Sequence, residues 1–214
     1  MGRRALRKID PDLDLSHHLH TLTELPAEQS LPELFDNPAA PLEVEVGTGK
    51  GLFMRSAAAE HPARNFLGVE IAGKYARFAA AGLAKRGLHN GVMLHGDGLA
   101  LFADRIPADS LAAVHVYFPD PWWKKRHHKR RVMIPAFAKN IERALSLGGR
   151  LHFWTDVRDY FETALEMLAA ETRLAGPIDV AGQAAGGEVK YHTHFERRMR
   201  LRDVPIYRAE FARG

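Results

Sequence analysis

The chain has 214 residues, of which 46% are hydrophobic and 26% charged, and its formal net charge is +4. This balance is typical of a soluble globular protein, and the length favours one sizeable core with terminal extensions. Cysteine does not occur, which excludes disulfides, thiolate zinc sites and cysteine nucleophiles. Since the sequence has neither a secretory signal nor an apolar run long enough for a membrane span, we expect a cytoplasmic protein.

The first part of the chain differs in character from the rest. Residues 1–40 mix Pro, His, Asp and Arg without clean periodicity. We interpret them as a basic, histidine-rich N-terminal arm with room for one short helix. Residues 41–214 are then predicted to form one α/β domain.

From residue 42 onward, short apolar strands alternate with helices. Strands are predicted at 42–46, 65–70, 92–95, 111–118 and 150–155, and helices at 52–60, 74–86, 135–145 and 157–171. Residues 176–190 are rich in Gly and Ala and are predicted to form a mobile loop, whereas 204–211 alternate and are predicted to form an antiparallel edge strand. The pattern predicts a doubly wound, mostly parallel Rossmann-like sheet with helices on both faces and ligands at the carboxyl ends of its strands.

A glycine turn and three carboxylates follow consecutive strands. Gly47, Gly49 and Gly51 come directly after the first strand, where glycine allows a tight turn and a close approach to a ligand. Glu45 precedes this turn. Each acid could be a solvated loop carboxylate, but the set favours a nucleoside cofactor. The third glycine comes one position too early for the G-x-G-x-x-G of dinucleotide enzymes, which favours S-adenosylmethionine.

The other two acids extend this cofactor site. Glu70 ends the second strand, where a carboxylate can accept both hydroxyls of an adenosine ribose. Asp97 follows the third strand, where it could accept the adenine amino group. We therefore predict that both bind the cofactor together with Glu45 and the glycines.

The positive charge is concentrated in residues 124–131, which hold six of the 30 Lys and Arg residues and no acid. Such a cluster indicates a polyanionic partner, although it could also be a solvated surface loop. We predict that it contacts RNA phosphates. The candidate residues are Lys125, Arg126, Lys129 and Arg130.

The residues before this basic run combine stiffness with aromatic surface. Asp120 stands between Pro119 and Pro121 on a backbone that proline restrains. Trp122 and Trp123 follow and could stack on a base, or could equally be part of the core.

In this stretch the sequence resembles the bacterial tRNA (guanine-N7-)-methyltransferases, whose hallmark has the form D-P-W-x-K-x-R-H-x-K-R-R. Three further segments are similar to motifs of that family: 45–51, Thr155-Asp156 with Tyr160, and 193–197. The resemblance spans about residues 40–212. Trp123 and Met199 depart from the pattern, which often has Pro and Gly there.

The resemblance implies a methyltransferase domain that transfers a methyl group from S-adenosylmethionine to N7 of a guanine in the variable loop of tRNA. It implies that Asp120 contacts the cofactor and lies at the reaction centre. It also implies a set of substrate-binding residues, which are Lys124, Asp156, Thr193, His194, Phe195 and Glu196.

Guanine N7 carries a lone pair and no proton, so the transfer requires alignment and charge stabilisation and no general base. Methylation makes the ring cationic, and a carboxylate facing its N1–H and N2–H would favour the transition state. Asp120, Asp156 and Glu196 are candidates for this role.

The resemblance implies tRNA as the partner. We expect neither a membrane nor a metal, and we expect a monomer or homodimer. The histidine pairs His127-His128 and His192 with His194 are not expected to bind a divalent ion, and the first pair in particular is surrounded by cations with no acid in the same run. Alternatives that remain open are another methyltransferase of nucleic acid bases, a non-catalytic tRNA-binding subunit with the same fold, and a nicotinamide oxidoreductase.

Overall fold

The computed structural model describes residues 6–122, 126, 131–178 and 204–214. The strands are β1 (Leu19–Thr21), β2 (Leu42–Val46), β3 (Asn65–Glu70), β4 (Gly91–His95), β5 (Leu111–Tyr117), β6 (Leu145–Thr155), β7 (Ala175–Ile178) and β8 (Tyr207–Ala212). The helices are α1 (Leu52–Glu60), α2 (Gly73–Ala84), α3 (Gly98–Asp104), α4 (Pro135–Ala144) and α5 (Arg158–Glu171). Two short 3-10 helices, Leu22–Glu24 and Leu31–Leu34, lie before β2.

The strands form one sheet in the order β1-β4-β3-β2-β5-β6-β8-β7. The pairings from β1 to β6 are all parallel, and β8 is antiparallel to both β6 and β7. The prediction of a doubly wound, mostly parallel sheet with an antiparallel C-terminal strand is therefore confirmed. Strand β8 is not itself the edge strand that the sequence predicted, because β7 pairs with its other side.

Helices cover the two faces of the sheet and create two apolar clusters. Helices α1 and α2 contribute Phe53, Met54 and Leu83 to one cluster, together with Phe66 of β3. Helices α3, α4 and α5 pack on the opposite face and contribute the larger cluster. Strand β3 is buried along its whole length, as is typical of a central strand in a parallel sheet that helices cover on both faces. Within the described part of the chain, no helix has the length and apolarity needed to cross a bilayer.

The structure departs from the sequence-based prediction at four elements. Strand β1 lies in the N-terminal segment and pairs with β4, so part of this segment extends the sheet. Helix α3 was not predicted, and Ala175–Ile178 forms β7 where a loop was expected. Strand β6 begins at Leu145 instead of residue 150, with an irregularity in its pairing to β5. The remainder of the predicted loop lies outside the described residues.

A buried polar network around Glu43, near the amino end of β2, links this strand to β5 and to the segment before β3. His115 Nε2 donates to Glu43 Oε2 at 2.8 Å, and His115 Nδ1 hydrogen-bonds the Tyr117 hydroxyl at 2.9 Å. Arg64 donates to the other oxygen of Glu43 at 2.5 Å. Burial by itself raises the pKa of Glu43, but the hydrogen bonds and charges of His115 and Arg64 outweigh it and lower that pKa to about 2.

We predict that Glu43→Gln destabilises the fold by about 2–3 kcal/mol at neutral pH, because it removes a buried, charged acceptor from the buried His115 and from the exposed Arg64. The pKa of Glu43 is lowered from 4.5 to about 2, so the folded state binds fewer protons in that range. The wild type then loses this stabilisation as the pH falls through it, and the difference between the two proteins narrows. Denaturant unfolding at several acidic pH values measures this.

The matched control is Glu162→Gln, which removes a carboxylate whose ion pair with Arg158 is solvent-exposed. Its stability should remain within about 0.5 kcal/mol of the wild type at neutral pH. If the difference in unfolding free energy between Glu43→Gln and the wild type stays constant across the acidic range, the prediction is wrong.

Candidate functional site

Two loops leave neighbouring strands at the same edge of the sheet. Strand β2 pairs with β3 on one side and with β5 on the other, and Val46 lies opposite Val116. The glycine turn follows β2, and the aromatic-proline segment 118–122 follows β5. The chain winds in opposite directions from β2 and β5, and such a switch point opens a crevice for ligands at the carboxyl ends.

All three glycines of the turn have left-handed backbone angles. The φ values are +81° at Gly47, +54° at Gly49 and +65° at Gly51. A Cβ on Gly51 would lie 2.5 Å from Cβ of Ala79, so this glycine allows α1 to pack on α2. No described atom comes within 4 Å of a Cβ built on Gly47 or Gly49. The first two glycines therefore border open space, as expected for a backbone that a ligand approaches.

Glu45 is buried at the base of this turn, with 3% of its surface exposed. Among the described residues, neither its Oε2 nor the hydroxyl of Thr48 has a hydrogen-bond partner. Burial, and next the charge of Glu70, raise the pKa of Glu45 to about 8, while Arg55 acts in the opposite direction. A buried acceptor without a partner is costly, so this carboxyl group is a candidate for contact with a polar ligand.

Glu70 connects the glycine turn to the end of β3. Its Oε2 accepts from the backbone N–H of Gly49 at 2.8 Å, and its Oε1 accepts from that of Ala72 at 2.9 Å. Both oxygens thus hold the local backbone and retain a second lone pair for a ligand. The sequence does not reveal this structural role, because Gly49 and Glu70 lie 21 residues apart.

Asp97 follows β4 and caps α3, where its Oδ1 accepts from the backbone N–H of Leu99 at 2.8 Å. Its side chain is exposed. The structure therefore brings Glu45, the glycine turn, Glu70 and Asp97 to the ends of three adjacent strands. This is the arrangement that the sequence predicts.

Two residues of the loop after β5 have strained backbone conformations. Phe118 and Trp122 have φ values of +50° and +45°, which bulky residues rarely adopt. The backbone N–H of Phe118 donates to the carbonyl of Trp154 at 2.7 Å, which ties the start of the loop to β6. Asp120 is exposed between the two strained residues. Such strain often marks functional sites, where surrounding contacts maintain it.

Arg131, the last cation of the basic run, has a structural role. It is 7% exposed, its Nε donates to the carbonyl of Pro121 at 2.8 Å, and its guanidinium lies 4.5 Å from the centre of the Tyr160 ring. It also approaches Asp159 at 3.6 Å. Arg131 therefore joins the loop after β5 to helix α5. The sequence could not distinguish Arg131 from the other cations of the basic run, because all of them carry the same charge. Among these other cations the structure describes Arg126, which is exposed.

Asp156 stands at the carboxyl end of β6, next to β5 in the sheet. It is half-buried, and desolvation raises its pKa. Its neighbour Thr155 is fully buried and accepts from the backbone N–H of Val157 at 3.2 Å. The remaining predicted substrate and phosphate contacts lie outside the described residues; they are Lys124, Lys125, Lys129, Arg130, Thr193, His194, Phe195 and Glu196.

The chain is similar to known methyltransferases over most of its length. The family model described as "Putative methyltransferase" matches residues 39–209. A tRNA (guanine-N(7)-)-methyltransferase from Rhodopirellula baltica is 50% identical, and the match covers 97% of this chain and 79% of that protein. A tRNA (guanine-N(7)-)-methyltransferase from Xanthomonas campestris is 37% identical over 80% of this chain and 66% of its own length.

Solved structures support the fold. An aminoglycoside-resistance methyltransferase superposes with a TM-score of 0.55 at 18% identity, covering 87% of this chain and 95% of that one. A precorrin-6y C5,15-methyltransferase from Geobacter metallireducens superposes with the same TM-score at 15% identity, covering 81% of each chain. At these identities the comparison concerns the fold alone, and it agrees with the Rossmann-like arrangement of the sheet.

We predict that Arg131→Ala lowers the free energy of unfolding by about 2 kcal/mol, because a buried guanidinium contact with a carbonyl and a ring is lost. Arg131→Lys should restore little, since an ammonium group lacks the planar fork that meets both partners. Denaturant unfolding measures both variants. Arg158→Ala, which breaks an exposed ion pair on α5, is the control and should leave the free energy of unfolding nearly unchanged. A lysine variant as stable as the wild type would mean that charge alone suffices.

We predict that ionisation of Glu45 makes the fold less stable as the pH rises from about 4.5 to about 8. These are the pKa values of this residue in the unfolded and the folded state. In this range the folded state retains a proton that the unfolded state releases, so stability declines by at most about 1.4 kcal/mol per pH unit. Glu45→Gln cannot ionise and should lack this decline. Denaturant unfolding of both proteins across the range measures it, with the exposed Glu166→Gln as control. Parallel pH profiles for wild type and Glu45→Gln would contradict the prediction.

Proposed function

We infer the reaction from one premise, which is that the chain belongs to the tRNA (guanine-N7-)-methyltransferase family. On this basis the protein transfers a methyl group from S-adenosylmethionine to N7 of a guanine in tRNA. The main structural support for this proposal is the parallel pairing of β2 with β5. This pairing brings the glycine turn and the Asp120 loop to one crevice, where a cofactor and a base can meet.

The residues at the end of β2 fit this cofactor. Gly47 and Gly49 border space that no described atom fills, and Glu45 has a buried oxygen for which the described residues supply no partner. S-adenosylmethionine carries an ammonium group and a sulfonium. A cation beside Glu45 would lower the raised pKa of this residue and so favour its ionised form. We propose that Glu45 and the glycine turn bind this part of the cofactor.

The nucleoside part of the cofactor would then lie against the neighbouring strands. Glu70 ends β3 with a lone pair left on each oxygen, and Asp97 presents an exposed carboxylate after β4. We propose that Glu70 accepts the ribose hydroxyls and that Asp97 accepts the adenine amino group. When bound, the cofactor supplies an electrophilic methyl group.

The protein itself has little proton transfer to perform in this reaction. Guanine N7 already exposes a lone pair, so the site must align the base and stabilise the positive charge that develops on the ring. Asp120 and Asp156 follow the adjacent strands β5 and β6. We propose that they, with Glu196 from outside the described residues, supply the carboxylates that face the N1–H and N2–H edge of the guanine.

The tRNA would be held by the basic run. Lys125, Arg126, Lys129 and Arg130 are proposed to neutralise phosphates, while Arg131 maintains the start of their loop through its contact with Pro121. N7 lies in the narrow major groove of A-form RNA, so the base must be loosened or turned out before it reaches the crevice. A tRNA substrate would place the reaction in the cytoplasm, and one subunit or a homodimer would suffice.

Direct identification of the product tests this function. The protein is incubated with bulk tRNA and methyl-labelled S-adenosylmethionine, and the product is treated with borohydride and aniline, which cleave at 7-methylguanosine. Scission at the variable-loop guanine is expected. Label in another base would support a different base methyltransferase. Cofactor and tRNA binding without transfer would indicate the non-catalytic subunit.

We predict that Asp156→Asn lowers the turnover number by about 10-fold or more while changing the affinity for S-adenosylmethionine much less, because the carboxylate acts on the cationic transition state. Steady-state kinetics and cofactor titration measure the two effects separately. Asp104→Asn replaces an exposed aspartate at the end of α3 and is the matched control. An unchanged turnover number for Asp156→Asn would remove this residue from the site.

A further inference from the structure

Three metal-binding side chains meet at the amino ends of the strands, opposite the proposed cofactor crevice. His17 lies two residues before β1, and His89 lies two residues before β4. Asp36 follows the second 3-10 helix and precedes β2. One ligand atom from each of the three lies within 4.8 Å of the others. The group therefore joins three segments that are distant in sequence.

The carboxylate of Asp36 stands between the two imidazoles and offers a separate oxygen to each. Its Oδ1 is 3.9 Å from Nδ1 of His17, and its Oδ2 is 3.5 Å from Nδ1 of His89. Ligand atoms bound at about 2.0–2.2 Å around a tetrahedral zinc ion lie about 3.3–3.5 Å apart. Small movements of Asp36 and His89, whose side chains are exposed, would bring these atoms to such distances.

The orientation of His17 is fixed by the backbone of one of the other two residues. Its Nε2 lies 2.8 Å from the carbonyl oxygen of His89, which can only accept a hydrogen bond. The proton of the neutral ring is therefore on Nε2, and the lone pair of Nδ1 faces Asp36. In metal sites, a ligating histidine commonly donates its other N–H to a backbone carbonyl, which sets the tautomer and the direction of the ring.

A cavity of about 250 Å³ adjoins this cluster and is bordered by Asp36 and His89. Asn37, Asn65 and Asn90 also line it, together with the apolar Ala40 and Pro62. A divalent ion held by three side chains needs further ligands, which water commonly supplies. The cavity provides room for such waters beside two of the three ligands.

We propose that His17, Asp36 and His89 bind a divalent transition metal ion, for which Zn²⁺ is the best match. Two imidazoles and one carboxylate are ligands that zinc prefers, and the set needs no cysteine, which this chain lacks. The bound ion ties the segment before β1 and the segment before β2 to the loop that precedes β4. It thereby fastens the N-terminal part of the chain to the edge of the sheet. This departs from the sequence-based expectation of no metal, which considered other histidines.

The test is a calorimetric titration of the full chain, freed of metal by a chelator, with ZnCl₂. We expect the wild type to bind zinc at this site, and we expect Asp36→Asn and His89→Ala to weaken that binding by at least about 10- to 100-fold. Losses of this size are typical even when only a residue that hydrogen-bonds a metal ligand is replaced. The melting temperature of the wild type should rise with ZnCl₂, because an ion that binds the folded state stabilises it. That rise should be absent from both variants.

His61→Ala is the matched control, since His61 is another exposed histidine outside the ligand group. It should retain the site and the rise in melting temperature. Zinc bound by other histidines of the chain contributes equally to every variant and cancels in the comparison. Identical titration curves for the wild type and Asp36→Asn, or no binding by the wild type, would overturn the proposal. Both outcomes are independent of methyl transfer.

Discussion

The parallel pairing of β2 with both β3 and β5 is the constraint on which the rest of the site depends. Strands are spaced about 4.8 Å apart, so segments that leave adjacent strands in the same direction begin as neighbours. The glycine turn after Val46 and the loop after Tyr117 are therefore brought together by backbone hydrogen bonds, although about 70 residues separate them in sequence. Side chains in the two loops then need to supply only orientation and charge.

Strand β2 contains two acids whose environments shift their pKa values in opposite directions. Glu43 is buried with an arginine and a histidine as partners, and its pKa falls. Glu45, two residues later on the same strand, is buried beside Glu70, and its pKa rises. The first carboxylate stabilises the sheet, whereas the second reduces stability whenever it is ionised. Destabilising groups are retained where a ligand compensates for them, which agrees with a cationic ligand at Glu45.

The sequence predicted the elements whose hydrophobic patterns were long and clear. It did not predict elements that are very short or that form through contacts with distant residues. Leu42–Val46 and Asn65–Glu70 were predicted at their observed bounds because apolar strands between turn residues are distinctive. Strand β1 has three residues and helix α3 has seven, which is too short for a periodic signal. Strand β7 contains Gly and Pro, and it exists because it pairs with β8. Similarly, the charge pattern predicted a basic surface but could not reveal that Arg131 is buried, since this depends on Tyr160.

The strained loop after β5 illustrates how such long-range contacts give a local conformation its stability. A left-handed angle at a bulky residue costs about 1–3 kcal/mol, and the loop has two, at Phe118 and Trp122. The hydrogen bond from Phe118 to Trp154 and the one from Arg131 to Pro121 act on either side of Asp120. Each supplies energy comparable to one strained residue. The direction of Asp120 is therefore determined by β6 and α5 as much as by its own prolines, and a substitution in either element would alter the crevice without touching it.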